Sequence, residues 1–280
     1  MPTQSEKATA FRALHQRQGA FVIPNPWDAG TARLLAHLGF EALATTSAGF
    51  AFSRGRPDGG VTRDETLDHA ATIVAAAELP VSADLEGGYG DAPKAVAETI
   101  RLAAAAGLVG GSIEDATGRK DDPIYPIDLA VERVRAAVEM ARGLPFPFTL
   151  TARSENFLWG RPDLADTITR LQAFQEVGAD VLYAPGLRTC EEIATLVKAV
   201  DRPVNVLAGI PGALGVAALA ELGAKRISVG GSLARAALGA FMKAGREMRD
   251  SGTFTFVDGA LPGREINAIF AGWGKKDAPH

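Results

Sequence analysis

The chain has one cysteine, Cys190, among its 280 residues, so an intramolecular disulfide framework is excluded. Histidine is also scarce. His15, His37, His69 and His280 fall in predicted helices or in the tail, which leaves none placed for metal ligation or acid–base work. No apolar run approaches the ~20 residues of a membrane span. Basic residues are not in excess: 29 Lys and Arg face 33 Asp and Glu, and no basic cluster offers a nucleic-acid footprint. The opening Met1-Pro2-Thr3-Gln4-Ser5-Glu6-Lys7 lacks a basic region followed by an apolar stretch and does not read as a signal peptide. The expected compartment is the cytoplasm. A hydrophobic content of 47% supports a sizeable buried core.

Short β-prone runs alternate with longer helical patterns along the whole chain. Strands are expected at 21–23, 42–45, 81–83, 109–113, 148–152, 181–183, 204–207 and 226–229. Ala/Leu/Glu/Arg-rich helical segments such as 92–106, 129–142, 164–177, 191–199 and 215–222 lie between them. Eight strand–helix alternations indicate a parallel sheet, and eight is the number that closes a (β/α)₈ TIM barrel. A glycine recurs where helices hand over to strands, in Leu38-Gly39-Phe40, Ala106-Gly107-Leu108, Val177-Gly178-Ala179 and Leu222-Gly223-Ala224. It suits the left-handed residue just past a helix end. A doubly wound sheet is disfavoured, since no GxGxxG turn follows the first strand. The chain reads as a single domain over 1–280, with a helix over 9–17 before the first strand. Its tail, 251–280, is unusually apolar (Phe254, Phe256, Leu261, Ile266, Ile269, Phe270, Trp273) and needs a surface to bury against, such as another subunit.

The active site of such a barrel sits at the C-terminal ends of its strands. Strand three ends in Asp84-Leu85-Glu86-Gly87-Gly88-Tyr89-Gly90, strand four in Glu114-Asp115, and strand five in Arg153-Ser154-Glu155-Asn156. Asp84, Glu86 and Glu114 are more carboxylates than one site tolerates without a cation. Mg²⁺, or Mn²⁺ in its place, prefers such oxygen donors. The competing accounts are pairing with Arg153 and exposure to solvent. Asp58, in Arg54-Gly55-Arg56-Pro57-Asp58-Gly59-Gly60, either joins the metal set through water or is a solvated turn residue. Arg153 presents a planar fork for a carboxylate or phosphate, against the alternative of a salt bridge to Glu155. Ser47-Ala48-Gly49, after strand two, offers successive amides to an anion. Trp27, beyond strand one, and Asn205, on strand seven, complete the candidate substrate contacts Trp27, Ser47, Ala48, Gly49, Asp84, Arg153 and Asn205. Gly230-Gly231-Ser232 reads as tight packing, and Cys190 as a residue of a helix start.

Asp84-Leu85-Glu86-Gly87-Gly88-Tyr89-Gly90, Ile113-Glu114-Asp115, Ala152-Arg153-Ser154-Glu155 and Asn25-Pro26-Trp27-Asp28-Ala29 together resemble the isocitrate lyase/phosphoenolpyruvate mutase superfamily, in order and over nearly the whole chain. The resemblance implies a Mg²⁺-dependent (β/α)₈ barrel acting on a small 2-oxo acid or related dicarboxylate. It further implies a C-terminal helix swapped between partners in a dimer or dimer of dimers. Asp84 would be the nearest metal ligand, with Glu86, Glu114 and Asp58 holding metal-bound waters. Arg153 and the amides of Ser47–Gly49 would bind the substrate carboxylate.

One departure limits what the resemblance implies. The lyases of the superfamily carry a Lys-x-Cys-Gly-His element after strand four. Here the loop reads Asp115-Ala116-Thr117-Gly118-Arg119-Lys120-Asp121-Asp122-Pro123-Ile124-Tyr125, without cysteine or histidine. Lys120 and Tyr125, with Arg153, are the candidate catalytic residues. The expected activity is cleavage of a C–C bond in a small 2-oxo or 2-hydroxy dicarboxylic acid through a metal-stabilised enolate, oxaloacetate decarboxylase-like or (2-methyl)isocitrate lyase-like. P–C chemistry of the phosphonopyruvate mutase or hydrolase type, and a non-catalytic 2-oxo-acid binder, are the alternatives.

Overall fold

The computed structural model describes residues 2–273; His280 and the last residues of the expected tail lie outside them. Eight strands form one parallel sheet: β1 (Phe21–Ile23), β2 (Leu43–Ala44), β3 (Val81–Asp84), β4 (Gly110–Glu114), β5 (Thr149–Arg153), β6 (Val181–Tyr183), β7 (Val204–Leu207) and β8 (Arg226–Ser228). Their order is β1-β8-β7-β6-β5-β4-β3-β2. The remaining seam, between β1 and β2, carries no ladder. It is joined by the Ala44 N–H donating to the Pro24 carbonyl at 3.1 Å. The buried Asn25 side chain reinforces the seam. Its Nδ2 donates to the Thr45 carbonyl at 3.0 Å, and its Oδ1 accepts from the N–H groups of Val229 and Gly230 at 3.0 and 2.9 Å.

The helices are α1 (Gln4–Gln16), α2 (Ala29–His37), α3 (Ser47–Ser53), α4 (Arg63–Ala76), α5 (Pro93–Ala105), α6 (Ile127–Arg142), α7 (Leu164–Glu176), α8 (Cys190–Ala199), α9 (Val216–Glu221), α10 (Ser232–Ser251) and α11 (Gly263–Ala271). The strands are buried on both faces, as in any parallel sheet wrapped by helices, and so read as apolar runs. The repeated glycines Gly39, Gly107, Gly178 and Gly223 all take positive φ, from 85° to 103°, as the expected helix-to-strand turn requires. At Gly107 a Cβ would also stand 2.8 Å from Val74 Cγ1.

Two boundaries differ from expectation. α1 starts at Gln4 rather than near Thr9, because Thr3 and Glu6 form a capping box that outweighs the polar composition of the first turn. The second strand pairs over two residues only, since the chain turns at Thr46 into α3, a helix not among the expected ones. The tail lies against its own barrel: the Phe270 ring approaches Gly30 on α2, and the Arg33 guanidinium stands 5.7 Å over the Trp273 ring. On α10, Leu238, Phe241, Met242 and Met248 remain exposed, Phe241 to 74%.

α1 closes the N-terminal end of the barrel, packing Phe11 and Leu14 with Phe21, Ala42 and Val109. His15 is buried there between Phe11 and Phe21, ring centroids 4.8 and 5.0 Å away and nearly perpendicular. Its Nδ1–H donates to the Phe11 carbonyl at 2.9 Å, and burial, with Arg226 adding, pushes its pKa down to about 3. The unfolded chain therefore takes up a proton near pH 6.5 that the folded chain refuses, so stability falls as pH drops. Between pH 7.5 and 5.5 the loss from this group is about 1.4 kcal/mol. Urea unfolding of the His15→Gln variant will show a pH-linked loss smaller than wild type by that amount.

Candidate active site

Strand pairing places one row of residues around the barrel: Glu114 opposite Arg153, Arg153 opposite Tyr183, Tyr183 opposite Asn205, and Asn205 opposite Arg226. Residues paired across parallel strands project to the same side, so a single register brings these side chains to the barrel interior. Asp84 enters from β3, paired with Ser112 two residues before Glu114. All of these except Glu114 border a cavity of about 180 Å³, lined also by Asn25 and Ser47 among others. The volume is below the ~300–1,000 Å³ of sites for drug-sized ligands and suits a small acid.

Arg153 organises the mouth. Its Nη1 donates to Asp84 Oδ1 at 2.8 Å, its Nη2 lies 3.1 Å from Glu114 Oε2, and its Nε donates to Glu155 Oε1 at 2.8 Å. The guanidinium stands 5.2 Å from the Tyr183 ring centroid. Side-chain exposure is 12% for Arg153 and 3% for Glu155, so these charges interact with little screening by water. Burial alone would lower the Arg153 pKa, but Glu155, Glu114 and Asp84 together hold it well above the ordinary arginine value. Burial drives Glu114 well above the carboxylate range, with Arg153 opposing and Glu155 and Asp84 adding. Glu155 rises to about 7 by burial, again against Arg153.

Two further acids have no cation of their own. Burial, then the charges of Asp84 and Asp58, raise Glu86 to about 7, and its Oε1 is buried without a hydrogen-bond partner. Asp58 rides on the exposed 54–60 loop with its carboxyl turned toward Asp84; desolvation of that carboxyl and the Asp84 charge raise it. The donor set is therefore five carboxylates around one guanidinium, all hard oxygens, with one oxygen orphaned. That chemistry fits a divalent cation. Among the described residues no three Asp, Glu, His or Cys side chains are grouped as a direct clasp, so an ion here would be held by few carboxylates and largely through water.

The other expected residues divide. Ser47 lines the cavity and donates its hydroxyl to Asp84 Oδ2 at 2.9 Å; Ala48 lines it as well. The Gly49 N–H is already used by the Thr46 hydroxyl capping α3, at 3.2 Å, so it is not an anion donor. A Cβ at Gly49 would collide with Thr46 and Trp27, which explains the glycine by packing. Trp27 sits beside the mouth and not on the cavity wall, its carbonyl accepting from His69 Nε2–H at 2.8 Å. Lys120 is exposed on the loop after β4 and does not line the cavity. Tyr125 is buried behind that loop, its hydroxyl donating to Asp91 Oδ1 at 2.5 Å. A strand-end location alone does not aim a side chain, and the long loop carries both residues away from the reacting centre.

Residues that the sequence reading left without a role support or extend the site. Asp115, adjacent to Glu114, accepts from the Glu155 N–H at 2.8 Å and pairs with Arg170 at 3.2 Å. Arg170 also reaches Asp166 at 2.8 Å. Arg226 is buried on the row's far end, its Nε donating to Asn205 Oδ1 at 2.9 Å and its Nη1 lacking a partner. A charged residue opening an apolar strand was its only sequence signal.

The model of the family described as phosphoenolpyruvate phosphomutase matches residues 11–249. The chain belongs to that family. Among its relatives, an oxaloacetate decarboxylase of Chromohalobacter salexigens is 30% identical over 257 residues, 89% of this chain and 88% of the relative. A Burkholderia cenocepacia protein solved as a candidate lyase/mutase superposes with a TM-score of 0.94 at 67% identity, over 96% of each chain. Oxaloacetate acetylhydrolase with bound oxalate superposes at 0.86 and 28% identity, over 98% of this chain and 96% of that one. Family membership makes the chain an enzyme of the carbon–carbon lyase and mutase type. It also accounts for the eight-stranded barrel with its acids gathered at the C-terminal mouth. No described helix is long and apolar enough to cross a membrane.

Removing Arg170 would leave Asp115, 3% exposed, as an unpaired buried charge. Arg170→Met is expected to cost about 3–5 kcal/mol. Adding Asp115→Asn should recover part of that loss in urea unfolding, because the stranded charge is then gone.

Proposed function

We propose that this enzyme cleaves a C–C bond in a small 2-oxo or 2-hydroxy dicarboxylic acid, with a divalent ion, Mg²⁺ by its donor chemistry, at the Asp84 mouth. The carrying observation is the surplus of carboxylates over cations there, five around Arg153 with a buried Glu86 oxygen unpartnered. Asp84 would hold the ion directly, with Glu86, Glu114 and Asp58 bonding to its waters. A bound ion would supply Lewis-acid stabilisation of negative charge on the 2-oxo group. Arg153 would orient the substrate carboxylate through its planar fork, exchanging part of its present pairing for the ligand. Ser47, with its hydroxyl on Asp84, would steer the same group, and Asn205 would bound the far wall of the cavity.

The loop after β4 offers neither cysteine nor histidine as a general acid. Decarboxylation of an oxaloacetate-like acid asks least of such a group, because water quenches the carbanion that forms. It is therefore the favoured reaction within the class, and similarity to an oxaloacetate decarboxylase and to oxaloacetate acetylhydrolase supports it. The exposed apolar face of α10, continued by Phe254 and Val257, supports a homo-oligomer in which a second copy covers it, with the tail as the segment to exchange.

A panel of 2-oxo and 2-hydroxy dicarboxylates and phosphonopyruvate, assayed with Mg²⁺ for pyruvate or glyoxylate release, tests the activity. Turnover of a diacid that vanishes in EDTA and in Asp84→Ala is expected, and turnover surviving both sinks the reading. Arg153→Lys should cost about 3–5 kcal/mol in kcat/KM, through lost orientation and charge. Sedimentation should give an oligomer that Phe241→Glu dissociates; a monomeric wild type would refute the covered face.

A further inference from the structure

The loop that leaves β3 at Asp84 carries Glu86, and its backbone is not relaxed. Glu86 and Tyr89 take φ of 48° and 58°, a left-handed region that L side chains seldom occupy, and Gly88 between them takes 79°. Something must hold the loop in this shape. The structure assigns that task to one side chain, Arg133 of α6.

Arg133 is 1% exposed, forms no ion pair among the described residues, and has its Nε buried without a partner. It spends its Nη donors on carbonyls of this loop. Nη1 donates to Gly90 O at 2.5 Å and to Asp91 O at 2.6 Å, and Nη2 donates to Gly87 O. Thr99 takes a further carbonyl, Gly88 O, at 2.8 Å. With the carbonyls of Gly87, Gly88, Gly90 and Asp91 drawn back into the protein, the loop is fixed from behind. A Cβ at Gly87 would meet Arg133 Nη2 at an ordinary 3.5 Å but would crowd the Ala116 carbonyl at 3.0 Å.

Tyr125 completes the fixture. Its ring lies 4.1 Å from the Arg133 guanidinium, and its hydroxyl donates to Asp91 at the loop's far end. Burying a guanidinium without a carboxylate is costly. The carbonyls and the aromatic face offset that cost only when the loop has this shape. We propose that Arg133, with Tyr125 beneath it, is a positioning residue for the cation site: it touches no substrate and acts by holding the backbone that presents Asp84 and Glu86. Tyr125 thereby has a role other than proton transfer. The inference rests on the proposed function in one respect, that these acids hold a divalent ion.

Mn²⁺ binding followed by electron paramagnetic resonance, at a temperature where every protein is folded by circular dichroism, tests it without substrate. The panel is wild type, Arg133→Met, Arg133→Lys, Tyr125→Phe and a destabilised control, Phe174→Leu, which removes core volume from α7. Arg133→Met should bind Mn²⁺ about tenfold or more weakly, and Arg133→Lys and Tyr125→Phe several-fold more weakly. Phe174→Leu should lose stability and keep wild-type affinity. If wild type binds Mn²⁺ and the Arg133 and Tyr125 variants match the control, the positioning role is overturned while the cation site stands. If wild type binds none, the cation reading fails and takes this inference with it. Should Arg133→Met not fold, Arg133→Lys and Tyr125→Phe decide the matter by the same comparison.

Discussion

One guanidinium faces three carboxylates at 2.8–3.1 Å, and the mouth of this barrel is arranged around that imbalance. Arg153 holds Asp84, Glu114 and Glu155 in place, and their fields keep it charged. The charges do not cancel. Burial lifts Glu86, Glu114 and Glu155 out of the ordinary carboxylate range, because one guanidinium does not offset the desolvation of so many acids. A cluster built for stability alone would add a second base or trade an acid for an apolar residue. The excess acid is what the proposed divalent ion would balance.

The strand register carries this arrangement. Glu114, Arg153, Tyr183, Asn205 and Arg226 come from five strands and from far-separated sequence positions, yet they sit in one pairing row. The chain does not need to aim each residue separately. Right parity along each strand is enough, and the sheet supplies the convergence. Asp115 shows the complementary case: one residue past Glu114, it faces outward and becomes a strut to Arg170 and the Glu155 backbone.

This explains what was legible in the sequence. The eight-fold alternation and the glycines at 39, 107, 178 and 223 gave the barrel, because both are local signals tied to turn geometry. The acids and Arg153 were legible because strand ends point to the mouth in any such fold. Lys120 and Tyr125 misled because the loop after β4 is long, and direction along a loop is set by contacts such as that of Tyr125 with Asp91, not by sequence position. Gly49 misled because α3 is short and its cap consumes the amide in question. Arg133 and Arg170 were invisible: an arginine on a helix normally reads as solvated, and only the folded neighbourhood shows its donors turned inward.

The seam between β1 and β2 has one backbone bond and the Asn25 side chain, whereas β1 has a full ladder with β8. The first strand therefore waits for the last. Asn25 also holds Val229 and Gly230, so the same side chain ties the first strand's end to both neighbours. Ring closure is a long-range contact, in which segments some two hundred residues apart meet at the mouth and the loop entropy of joining them must be met.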